Sequence, residues 1–85
     1  MRTRQFAPAD GCLLLTDGQV LHVFRSGEPA AVMPVAGVHA WHANDTQLAI
    51  RNAYTPDLTL DLDPTRCEAA RAFGAELLEQ AERAV

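Results

Sequence analysis

The chain contains no lysine. Its seven basic residues are all arginine, spread from Arg2 to Arg83, and against eleven acidic residues they leave a formal net charge of −4. A groove that tracks nucleic-acid phosphates needs a basic stripe to release counterions, and an anionic membrane surface needs clustered Lys or Arg. The sequence offers neither, so nucleic acid and membrane are not expected partners. The missing lysine itself reads as genomic base bias rather than as physics. Cysteine is scarce: Cys12 lies in an apolar run and Cys67 near a helix start. Two such thiols without a secretory leader read as buried side chains, not as a disulfide or half a zinc site. Long hydrophobic runs are missing too. None approaches the roughly 20 residues of a membrane span, and the N-terminal MRTRQFAPADG carries charge with no apolar stretch behind it. A soluble, cytoplasmic protein is the expectation. Phosphate-binding loops and nucleophile elbows are likewise missing. Cys12, Cys67 and Ser26 therefore lack an activating setting, apart from the place of Cys67 in a first helical turn.

What is present is globular in composition, with 48% apolar and 21% charged residues. Eighty-five residues make a single domain, 1–85, that buries only about 60–65% of its unfolded surface.

The first half of the chain reads as short strands. CLLLT (12–16) and QVLHVF (19–24) flank Asp17-Gly18, a tight-turn signal. A two-residue turn would set Leu15 opposite Val20, Leu14 opposite Leu21 and Leu13 opposite His22, with apolar side chains on both faces. A strand pair of that kind must be covered twice. RSGEP (25–29) reads as a turn, AVM (31–33) as a strand stopped by Pro34, and VAGVHAWHA (35–43) as another strand. After Asn44-Asp45, TQLAIRN (46–52) alternates Leu48 and Ile50 with Gln47 and Arg51. DLTLDLD (57–63) places Leu58, Leu60 and Leu62 on one face and Asp57, Thr59 and Asp61 on a wet one.

The period then changes. Asp63 is a good N-cap and Pro64 suits the first helical position, where its missing N–H costs nothing. Cys67, Ala70, Phe73, Leu77 and Ala81 recur at spacings of three and four, with Gly74 and Leu78 beside them. One amphipathic helix over about 64–83 is predicted to dock on the sheet through this stripe. The fold class expected is α+β: an antiparallel meander of about six short strands over 12–62, as a bent sheet or partial barrel, plus one C-terminal helix.

This order of elements resembles the pleckstrin-homology-like superfold, particularly its small bacterial members. GCLLLTDGQVLHVF (11–24) is similar to the strand–Thr-Asp–strand hairpin of those domains, and VMPVAGVHAWHANDTQLAI (32–50) to the stretch that leads into two paired strands. LTLDLDPTRCEAARAFGAELLEQ (58–80) looks like their last strand and helix. The complete superfold has seven strands, so the resemblance implies that RTRQFA (2–7) supplies one more. A generic meander with a helix fits the same pattern. The superfold hosts lipid, peptide and protein binders as well as oligomerisation modules, so it does not fix function.

Chemistry concentrates in VHAWHAND (38–45), which holds two of the three histidines and the only tryptophan. In a regular strand His39 and Trp41 point one way and Ala40 and His42 the other, which separates the two imidazoles. No metal and no cofactor is expected, although a bulge joining His42 and Asp45 to His22 would change that. His22, inside an apolar run, reads as a hydrogen-bonded buried side chain. Trp41 reads as a core or interface residue, and Trp41, His39 and His42 are the candidate binding residues. Asp57, Asp61 and Asp63 read as a solvated face and a cap, not as catalytic carboxylates. The expected function is therefore non-enzymatic: protein–protein interaction or homo-oligomerisation. The competing reading is a small acidic inhibitor or adaptor, of the kind mobile elements encode, that blocks a basic site on another macromolecule.

Overall fold

A computed structural model describes residues 3–83. Four strands, β1 (Arg4–Phe6), β2 (Cys12–Thr16), β3 (Val20–Arg25) and β4 (Glu28–Pro34), pair in chain order into one antiparallel sheet. Three more, β5 (Val38–Ala43), β6 (Gln47–Asn52) and β7 (Leu58–Asp61), form a second. The architecture is α+β as expected, with seven strands rather than six and two separate sheets that are not closed into a barrel. The seventh strand is β1, within the stretch RTRQFA, whose first residue, Arg2, lies outside the described residues. It pairs Phe6 with Leu14 and Arg4 with Thr16.

The first hairpin differs from its expected register by two residues: Leu13 pairs with Phe24, Leu14 with Val23 and Leu15 with His22. Side chains alternate with period two, so a slip of two leaves every residue on its expected face. The cause is the longer turn. The Asp17 carboxylate accepts the N–H groups of Gln19 and Val20 at 2.8 and 3.0 Å, and Gly18 takes φ +94°. The buried Thr16 hydroxyl donates to the Val20 carbonyl and accepts from the Gly18 N–H. The next turn is two residues long, and Ser26 and Gly27 both have positive φ, as the turn type that matches strand twist requires. Strand β4 starts at Glu28, three residues before the expected AVM segment, and a bulge at Ala30 carries it past Pro29.

Residues Val35–Gly37, expected as strand, form one turn of 3-10 helix. The buried Asn52 side chain holds this corner, donating to the Pro34 carbonyl at 2.8 Å and accepting the Tyr54 N–H at 2.9 Å. Ala53 N–H donates to the Gly37 carbonyl. A Cβ on Gly37 would overlap the Asn52 amide and the Tyr54 ring, so only glycine turns the chain here.

At the C-terminal end the Asp63 carboxylate accepts both the N–H and the O–H of Thr65, starting a 3-10 turn at Pro64–Arg66 that continues as helix α1 (Cys67–Arg83). Ala70, Phe73, Gly74, Leu77 and Ala81 are its buried positions, which is the predicted stripe. Ala70, Phe73, Leu77 and Ala81 join Leu14, Leu21, Val23 and Met33 of the first sheet and Leu48, Ile50 and Leu60 of the second in one apolar cluster. Both sheets and the helix therefore share a core. No helix among the described residues is long and apolar enough to cross a membrane.

Candidate functional site

The predicted binding residues sit on β5, and a bulge decides where each goes. Pairing with β6 slips between Val38 and Ala40, which leaves His39 as the extra residue. Val38 and Trp41, three apart in sequence, consequently both pack on the buried side, while His39 and His42 are exposed. This corrects the simple alternation that would group His39 with Trp41. His39 borders a shallow cleft with Val38, Leu78 and Glu82, whereas His42 borders a different one with Trp41, Arg71 and Ala75. Among the described residues no three His, Cys, Asp or Glu side chains are grouped to hold a metal ion.

Trp41 is occupied by the fold. Its indole N–H donates to the Ala70 carbonyl at 3.0 Å, and its ring lies 5.9 Å from Phe73 and against the bare Cα of Gly74. An amphipathic indole half-buried with its N–H satisfied is a structural clamp, here between β5 and α1. Beside it, Arg71 donates to the Ala43 carbonyl at 3.3 Å, and the Cys67 thiol lies 3.9 Å from the same oxygen. Strand β5 is thus tied to the helix at Trp41 and again at Ala43.

The outer face of the first sheet is different. Pairing puts Gln5, Leu15, His22 and Val32 in one cross-strand row and Leu13 with Phe24 in the next. None of these side chains carries an acid or a guanidinium. Val32 is 55% exposed, and Leu13, Leu15 and Phe24 are only half-buried. His22, expected in the interior, lies on this outward face and stacks on Phe24 with ring centroids 6.4 Å apart. Next to β1 and β2 the face dips into a hollow of about 660 Å³ lined by Ala7, Ala9, Leu13, Leu15 and Phe24, with Asp10 and Arg66 at its rim. Arg66 is committed there: it donates to the Ala7 carbonyl at 3.1 Å and lies near Asp10 and Asp63. The sequence signal for this surface was the presence of leucines on both faces of β2. Helix α1 packs against β5 and the 3-10 corner, so it does not cover those on the outside.

The remaining charges are dispersed. Glu76 pairs with Arg4, Glu79 with Arg83 and Asp57 with Arg51. The Asp17 carboxyl is held below the ordinary aspartate pKa by the backbone N–H groups of Gln19 and Val20. The Asp63 carboxyl is lowered by the backbone N–H and then the hydroxyl of Thr65. Both shifts come from turn and cap hydrogen bonds. No family model matches the chain, and no curated protein is significantly similar to it.

Proposed function

We propose that the chain is a non-enzymatic protein-interaction or assembly module whose contact surface is the outer face of the first sheet. The observation that carries this reading is the uncharged row Leu15, His22 and Val32 with its neighbours Leu13 and Phe24, left open while the helix is spent on the other side of the molecule. An apolar sheet face of this kind marks a contact site. Two sheets of four and three strands followed by a helix also have the general form of the pleckstrin-homology-like superfold, and membership of it would suit a binding module. Charge mimicry is less well supported, because Asp17 and Asp63 cap turns and Asp57, Glu76 and Glu79 face arginines. A hydrophobic fluorescent dye tests the reading. At sub-micromolar concentration the wild-type chain should enhance dye emission, and Leu15→Glu should abolish the enhancement with its far-UV circular dichroism unchanged. A monomeric chain that gives no emission would overturn it.

A further inference from the structure

We propose that the cleft between the outer edge of β5 and helix α1 binds a small monocarboxylate with an apolar body, an aryl or short-chain acid. This site is separate from the open face of the first sheet, and the contact-surface reading does not depend on it.

The strand edge gives the first reason. The Asn44 N–H donates to the Gln47 carbonyl, so Asn44 faces β6 and Ala43, one residue earlier, faces away from it. The Ala43 carbonyl accordingly meets the Arg71 guanidinium of the helix, at 3.3 Å. Both backbone groups of a strand residue lie on one edge, so the Ala43 N–H opens on the same side. Strand β5 is the end of its sheet, and no further strand pairs there to take up that donor.

Charge gives the second. Arg4, Arg51, Arg66 and Arg83 each face a carboxylate. Among the described residues Arg71 faces none, and its bond to Ala43 engages one N–H and leaves the rest of the fork open. His42 stands exposed on the same cleft, and no described acidic side chain lines it. In a chain of net charge −4, an anion therefore meets donors and one fixed positive charge here. One charge matches a monoanion, and the planar Arg fork suits a carboxylate. A phosphate, with a charge of about −1.5 to −2 at pH 7, would stay half compensated against the acidic remainder of the chain.

The walls give the third. The cleft measures about 400 Å³, at the small end of the range for ligand sites. The exposed part of the Trp41 indole, Ala75 and Leu78 form its apolar side, and the bare Cα of Gly74 lets the indole lie against the helix. An apolar body resting on this wall leaves water while its carboxylate reaches Arg71.

Trp41 is the chain's only tryptophan, so its fluorescence reports the cleft directly. Phenylacetate titrated to about 50 mM at constant ionic strength should shift the emission saturably, with a millimolar Kd, and should move the Ala43 amide resonance. Phenylacetamide, which has the same shape without the charge, and inorganic phosphate should each bind about tenfold more weakly or worse. Arg71→Gln should weaken phenylacetate by about the same factor. Ala75→Phe fills the cleft and leaves Arg71 in place, so it should block binding with an unchanged circular dichroism spectrum even where loss of the Arg71 bond loosens the helix. Leu15→Glu, on the outer face of the first sheet, should bind as the wild-type chain does. No saturable change, equal binding of the amide, or binding that survives both Arg71→Gln and Ala75→Phe overturns the site. A loss of binding in Leu15→Glu would put the ligand on the sheet face and overturn it as well, and phosphate binding as tightly as phenylacetate would overturn the choice of a carboxylate.

Discussion

Alanine at position 74 should destabilise the protein, against the ordinary preference of helices. Gly74 lies inside α1, where alanine is better than glycine by about 1 kcal/mol. The bare Cα, however, packs on the Trp41 indole, and an added methyl would overlap that ring. Overpacking of this kind costs about 1–3 kcal/mol. The indole has little room to retreat, because Phe73 lies 5.9 Å away and its N–H is bonded to the Ala70 carbonyl. Losing that hydrogen bond adds about 1 kcal/mol. Set against the gain in propensity, the net cost is roughly 1–3 kcal/mol, a visible share of the roughly 4–13 kcal/mol that a domain of this size holds. Urea denaturation followed by far-UV circular dichroism reads it as a lowered midpoint. In a Trp41→Ala background the same substitution should reverse sign and stabilise by about 1 kcal/mol, since only the propensity term remains. Trp41→Ala itself costs about 3–5 kcal/mol, so this pair is compared in an osmolyte that favours burial. A Gly74→Ala that stabilises the wild-type chain, or that costs the same in both backgrounds, refutes the clamp.

Two further outcomes concern the core and the turns. Phe73 is 6% exposed, with Phe6 at 5.6 Å and the Arg4 guanidinium 5.4 Å from its ring centre; Phe73→Ala should cost on the order of 3 kcal/mol, and an unchanged thermal melt would mean the helix is not docked on the sheets. The carboxyls of Asp17 and Asp63 have pKa values depressed in the folded state. Their contribution is complete above the unfolded aspartate value and is lost as pH falls through the folded one. Asp17→Asn and Asp63→Asn should therefore be less stable than wild type at pH 7, with the difference closing below about pH 4; a difference that persists unchanged to pH 2 in thermal melts would contradict this.

Segments whose pattern is local and strong were legible in the sequence. The alternation in β6 and β7, the Asp63-Pro64 start and the stripe from Ala70 to Ala81 each satisfy backbone and burial within a few residues, so no distant partner is needed to specify them. The faces of the first hairpin were legible as well, although the register was off by two, because the hydrogen bonds to Asp17 lengthen the turn without changing parity. Tertiary structure decided the rest. Strand β1 is too short to show a period and is defined by its pairing with β2. Val35–Gly37 leaves the extended conformation because Asn52, fifteen or more residues further on, fills the space beside Gly37 and holds the Pro34 carbonyl. The bulge at His39 turns Trp41 into a clamp on Gly74 and leaves both histidines of the strand exposed. The sequence alone also determined that β2 and β3 carry apolar side chains on both faces. Which face stays open depends on where the helix docks: one helix has one apolar stripe, this one is used on β5 and the corner before it, and Leu13 and Leu15 on the outside of the first sheet stay half-buried.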